Sequence, residues 1–107
     1  MIRFVPFENE NVLGMKAFDG EKEAGNCTFS IEGYFMQFLS VDCTDTVITE
    51  GLARAAMNYA ANRNAYIAKI SNSISSAAFE RLGFSGGDEL SVEIPEALAS
   101  GCTCGHV

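Results

Sequence analysis

The sequence has no tryptophan, one histidine, two prolines, and seven basic residues against fourteen acidic ones. Each shortage excludes something. With His106 as the only imidazole, no Ser/His/Asp or Cys/His catalytic arrangement is legible. The formal charge of −7 repels phosphate backbones and anionic headgroups, so no nucleic acid and no membrane is expected as a partner. No segment approaches the roughly 18 apolar residues of a membrane span, and residues 1–6 lack the apolar run of a cleavable signal. A cytoplasmic location is expected.

What is present suits one small folded domain. Of 107 residues, 48% are hydrophobic and 20% charged, the ordinary globular mixture rather than that of a disordered chain. Eight Phe and three Tyr supply large apolar area, each buried ring being worth roughly 1.5–3 kcal/mol. Residues 1–98 are read as the domain and 99–107 as a flexible C-terminal tail. The four cysteines do not read as a disulfide framework, because Cys27 and Cys43 sit in apolar, strand-like runs typical of reduced core thiols.

Residues 2–6 form a β-branched and aromatic run closed by Pro6, which predicts an edge strand. Residues 13–18 and 23–32 flank Asp19-Gly20, a dipeptide that supplies the positive φ of a tight hairpin. Gly33-Tyr34 then breaks the pattern before a fourth strand over 35–41. The period changes next: Ile48, Leu52, Ala56 and Tyr59 recur at helical spacing, with Thr44, Asp45 or Thr46 as N-cap, which predicts a helix over 46–62. Residues 65–70 read as a strand, 75–82 as a helix capped by Gly83, and 89–94 as a last strand stopped by Pro95. The fourth and fifth strands, joined through a helix, should be parallel.

The run Asn72-Ser73-Ile74-Ser75-Ser76-Ala77-Ala78-Phe79-Glu80-Arg81-Leu82-Gly83-Phe84 resembles the second CoA motif of the GNAT superfamily of acyl-CoA-dependent N-acetyltransferases. In that motif an Asn is followed seven positions later by an aromatic and then by Glu-Lys/Arg-Leu-Gly-Phe. Val41, a short polar loop and a helix carrying Gly51-Leu52 resemble the stretch that holds the family's pyrophosphate-binding turn. The resemblance implies a mixed α/β (α+β) fold, a mostly antiparallel sheet in the order β-β-β-β-α-β-α-β, with the family's first two helices missing.

It also implies a site for acetyl-CoA or another acyl-CoA. The fourth and fifth strands of such proteins splay apart, and the exposed main chain of the fourth, here near Leu39 and Val41, pairs with the pantetheine arm. The loop into the helix, with Thr46, Val47, Ile48, Thr49 and Gly51, would cradle the pyrophosphate at the positive end of the helix. Asn72 and Phe79 come from the second motif. The sequence departs from the pattern in three places. Only Gly51 remains of the loop's glycines; Phe79 stands where a tyrosine protonates the leaving thiolate in many members, and a phenyl ring has no proton to give. Residues 7–12 are too few for the two helices that form most of the acceptor pocket. No catalytic residue is assigned.

Two functions follow: an acyl-CoA-binding protein that transfers an acetyl group to an amine acceptor, or a catalytically inactive interaction module of the same fold. The missing helices predict a homodimer covering the apolar surface they would bury. Glu32 and Asp42, near strand ends, are candidate bases but more simply solvated carboxylates. Cys102, Cys104 and His106 offer three metal ligands where a closed site needs four, so no metal is expected.

Overall fold

The computed structural model describes residues 2–102, with side chains through residue 99. Its strands are β1 (Ile2–Asn9), β2 (Val12–Asp19), β3 (Lys22–Glu32), β4 (Phe35–Asp42), β5 (Ile67–Ser71), β6 (Ser85–Gly86) and β7 (Glu89–Glu93). Its helices are α1 (Thr46–Ala61), α2 (Ala77–Arg81) and α3 (Ile94–Cys102). The strands form one sheet in the order β1-β2-β3-β4-β5-β7-β6, in which β4 and β5 are the only parallel neighbours. The mixed, mostly antiparallel sheet expected from the sequence is therefore present, and α1 starts at Thr46.

The first four strands are a meander of three hairpins, each closed by two residues, since Asn9 pairs with Val12, Asp19 with Lys22 and Glu32 with Phe35. Gly20 and Gly33 take positive φ in the second and third turns; in the first, the left-handed position is held by Glu10 at φ 57°. The segment 7–12, expected to be a connector, is thus mostly strand. Pro6 does not end β1, because β1 is an edge strand and a residue without an N–H costs the ladder nothing on its outer side. Pro95 likewise does not simply stop a strand. It is the second residue of α3, where its missing N–H is one the helix leaves unpaired anyway. That helix, absent from the sequence expectation, crosses the expected boundary at 98/99.

One face of the sheet holds the core. Met15 pairs with Cys27, Phe29 with Phe38, Met36 with Ala68, Phe38 with Ile70, and Ile70 with Leu90, so these buried side chains share a face. On it lies α1, whose buried stripe Thr49, Leu52, Ala53, Ala56, Met57 and Ala60 follows the helical period. The alanines bring it close. The short α2 adds Phe79, and α3 packs against α1 and adds Ile94 and Ala97.

The opposite face carries no helix among the described residues, and cations lie over three of its rings. Arg3 sits 5.0 Å over the Phe18 ring, Lys16 5.1 Å over Phe7 and Lys69 4.2 Å over Phe35. In each the charged end of the cation lies over the negative face of a ring.

Candidate functional site

The pairing of β4 with β5 runs from Phe35↔Ile67 to Phe38↔Ile70 and stops, although β4 continues to Asp42. Past Phe38 the two strands part. The cause lies on the other side of β4: Phe38 pairs with Phe29 and Ser40 with Thr28, which leaves Leu39 as an extra residue opposite nothing. Such a bulge bends its strand and increases the local twist. Beyond it, β4 stays bound to β3, where the Thr28 and Ser40 hydroxyls lie 2.6 Å apart. Its β5 side is left without a strand partner. Leu39 is 43% exposed beside this opening, and Val41 is half-buried.

The core under the last rung of the β4–β5 pairing is aromatic. Phe79 meets Phe38 edge-on at 5.2 Å between centroids and Phe84 at 5.3 Å, and is itself only 1% exposed. The aromatic of the second motif therefore lies directly beneath the point where β4 and β5 separate, as a core residue.

After β4 ends at Asp42, three residues lead into the first turn of α1. Asp45 is the N-cap, its Oδ1 accepting from the Ile48 N–H at 3.0 Å, and the Thr49 hydroxyl donates back to the Asp45 carbonyl at 2.8 Å. Thr49 is buried, with its hydroxyl spent on this bond. The N–H groups of Thr46 and Val47 have no protein partner among the described residues, and Val47 is 72% exposed. Two donors and the positive helix end favour an anion there, while the Asp45 carboxylate opposes it.

Gly51 has a different neighbour from the one a phosphate cradle requires. A β-carbon at Gly51 would lie 2.4 Å from Cζ of Phe4, so the missing side chain lets β1 pack against α1. Asn72 is exposed, and its N–H donates to the Asp88 carbonyl at 2.8 Å, tying the β5–α2 loop to the segment before β7. The structure thus puts Leu39 and Val41 on the unpaired stretch of β4 and Phe79 in the core against Phe38, and it places Val47 and Ile48 beside Ile2 and Phe4 of β1. Gly51 and Thr49 are engaged in packing.

Glu32 and Asp42 lie at opposite ends of the sheet, opposite Phe35 and Asn26, and only Asp42 is near the split. Cys27 is fully buried, which pushes its thiol up to about 12 and keeps it protonated. Cys43 is half-buried, its sulfur 3.6 Å from the Asp45 carbonyl oxygen. No metal-binding group of side chains occurs among the described residues, and the Cys102, Cys104 and His106 side chains lie outside them. Sequence reasoning missed Phe38, Arg54 and Arg81. The last two reach Glu50 from α1 itself and from α2, at 2.8 and 3.6 Å.

No protein-family model matches the sequence, and no curated protein does. Solved structures do match. A GNAT-family protein from Desulfovibrio desulfuricans aligns at a TM-score of 0.66 and 9% identity, over 78% of this chain and 69% of that one. Nourseothricin acetyltransferase aligns at 0.66 and 17%, over 79% and 66%. The PaiA N-acetyltransferase from Thermoplasma acidophilum, solved in complex with coenzyme A, aligns at 0.63 and 14%, over 78% and 61%. The chain therefore has a GNAT-like fold, and it spans about two thirds of the length of these structures.

Proposed function

We propose that this GNAT-like chain binds acetyl-CoA, or another acyl-CoA, in the split between β4 and β5 and passes the acyl group to an amine. One observation supports this most: past the bulge at Leu39, the main chain of β4 has no strand partner on its β5 side. Unpaired strand groups take up an extended ligand that carries amides, as a pantetheine arm does. Transfer would rest on holding the thioester beside the amine and polarising its carbonyl with a β4 N–H. The amine nitrogen bonds to the carbonyl carbon and the C–S bond breaks; the nitrogen gives up one proton to water and the departing thiolate takes one from water, because Phe79 has none to give.

Calorimetric titration with acetyl-CoA tests the proposal. Heat fitting a Kd of about 1–100 μM is the expected result, and no heat with no thermal shift at millimolar ligand would sink it in favour of the inactive module. Asp45→Asn adds a finer expectation. Asparagine caps a helix about as well as aspartate, so stability should change by less than about 0.5 kcal/mol in urea unfolding. Removing the charge beside Thr46 and Val47 should still tighten acetyl-CoA binding, by roughly 2–5-fold at low salt. Weaker binding would mean that the phosphates lie elsewhere.

A homodimer would have to use what the structure leaves bare, chiefly Tyr34, Phe35 and Tyr66 at the far end of the sheet. A single-chain mass in light scattering at micromolar concentration would exclude it. A cytoplasmic location belongs to the same proposal; no helix among the described residues is long and apolar enough to cross a membrane.

A further inference from the structure

We propose that a second cleft, between the start of β1, the first turns of α1 and Arg81, binds an oxyanion carried on an apolar body. The cleft encloses about 360 Å³. Its apolar wall is Ile2, Phe4, Val47 and Ile48, and its polar side is Glu50 with Arg54 and Arg81. Two of the chain's seven basic residues meet there, in a protein whose net charge is −7.

The charges do not balance within the cleft. Glu50 is the sole carboxylate lining it, so the three side chains carry one net positive charge. The hydrogen bonds balance even less. Each guanidinium has five N–H donors. Arg54 gives one bond, from Nη2 to Glu50 Oε2 at 2.8 Å, and its Nε is buried without a partner. Arg81 approaches Glu50 Oε1 with Nε at 3.6 Å, an ion pair without a hydrogen bond, and is 62% exposed. Apart from Arg54 Nη2, no nitrogen of the two guanidiniums has a protein hydrogen-bond partner among the described residues, and paired arginines are the groups that bind a planar or tetrahedral oxyanion. The tip of the Phe4 ring packs against Gly51, where a side chain would displace it, and Phe4 lines the cleft as part of its apolar wall.

The cleft shares Val47 with the anion site proposed at the start of α1, so its test uses a probe with no thioester and no pantetheine. Phenyl phosphate should bind with a Kd in the low millimolar range, seen by NMR as movement of the Arg54 Nε–H signal and the Gly51 amide. Arg54→Gln and Arg81→Gln should each weaken it about 10-fold, and Glu50→Gln should strengthen it. Arg81 is exposed enough that its variant should melt with the wild type, so a folding defect at Arg54 leaves the test intact. An acetyl-CoA affinity that falls in parallel would make the oxyanion one of that ligand's phosphates, and one that does not would assign it to a separate small anion. No shift with about 20 mM phenyl phosphate, or binding equal in wild type and both arginine variants, would overturn the proposal.

Discussion

Replacing Phe38 with alanine should lower the stability of the domain by about 3–5 kcal/mol, the cost of removing a fully buried phenyl ring. Phe38 is 1% exposed and touches three other rings, Phe29 at 6.2 Å, Phe79 at 5.2 Å and Phe84 at 6.2 Å between centroids. It joins β3, β4, α2 and the segment after α2. Its backbone forms the last rung of the β4–β5 pairing, so the cavity would open where the split begins. Small domains hold only about 5–15 kcal/mol in total, so the variant should be close to unfolding at 37 °C. Each kcal/mol corresponds to about 4–8 °C, and a melt should show Tm falling by at least 12 °C. Phe35→Ala makes the control. That ring lies on the uncovered face and is 43% exposed, so its loss should cost under about 1 kcal/mol. Equal effects from the two substitutions would mean that the aromatic cluster is not the core.

Phe79→Tyr should cost about 1–3 kcal/mol and bring no gain in acyl transfer. Tyrosine at this position offers a proton donor to a leaving thiolate, and general-acid assistance is worth about 10²–10⁴-fold. Here, however, the ring is 1% exposed, with Phe38 and Phe84 both edge-on to it. Among hydrocarbons a hydroxyl loses its hydration and finds no acceptor, which is the origin of the expected cost. Urea unfolding gives the stability, and acetyl-CoA turnover with a panel of amines gives the activity. If turnover rises 100-fold or more, the para carbon borders the split after all, and the motif has kept its geometry while losing one oxygen.

Much of this fold was legible because its signals are local. Asp19-Gly20 marks a hairpin because glycine takes positive φ without strain, and that turn is present. The β1–β2 hairpin was not legible, because its turn has no glycine and the left-handed residue is Glu10, which nothing in the local sequence marks. Nor was α3. Its first residues, Ile94 and Pro95, continue a β-rich run, and only the packing of Ile94 and Ala97 into the core makes a helix the better solution. The asparagine-to-phenylalanine motif located α2 and its Gly83 cap, but could not say whether Phe79 faced a ligand or the core.

The sequence by itself determined the hairpins from β2 to β4, the alanine-rich helix and the parallel crossover. Turn residues, caps and apolar periods act over a few neighbours, and the chain carries them wherever it goes. Only the tertiary structure decided what those elements enclose. The bulge at Leu39 arises from the register between β3 and β4, and the position of Gly51 acquires its meaning from Phe4, 47 residues earlier in the chain. Arg54 and Arg81 share Glu50 because α1 and α2 lie on the same face of the sheet. These are relations between residues distant in sequence, fixed by how strands pair and helices pack, and no local pattern encodes them.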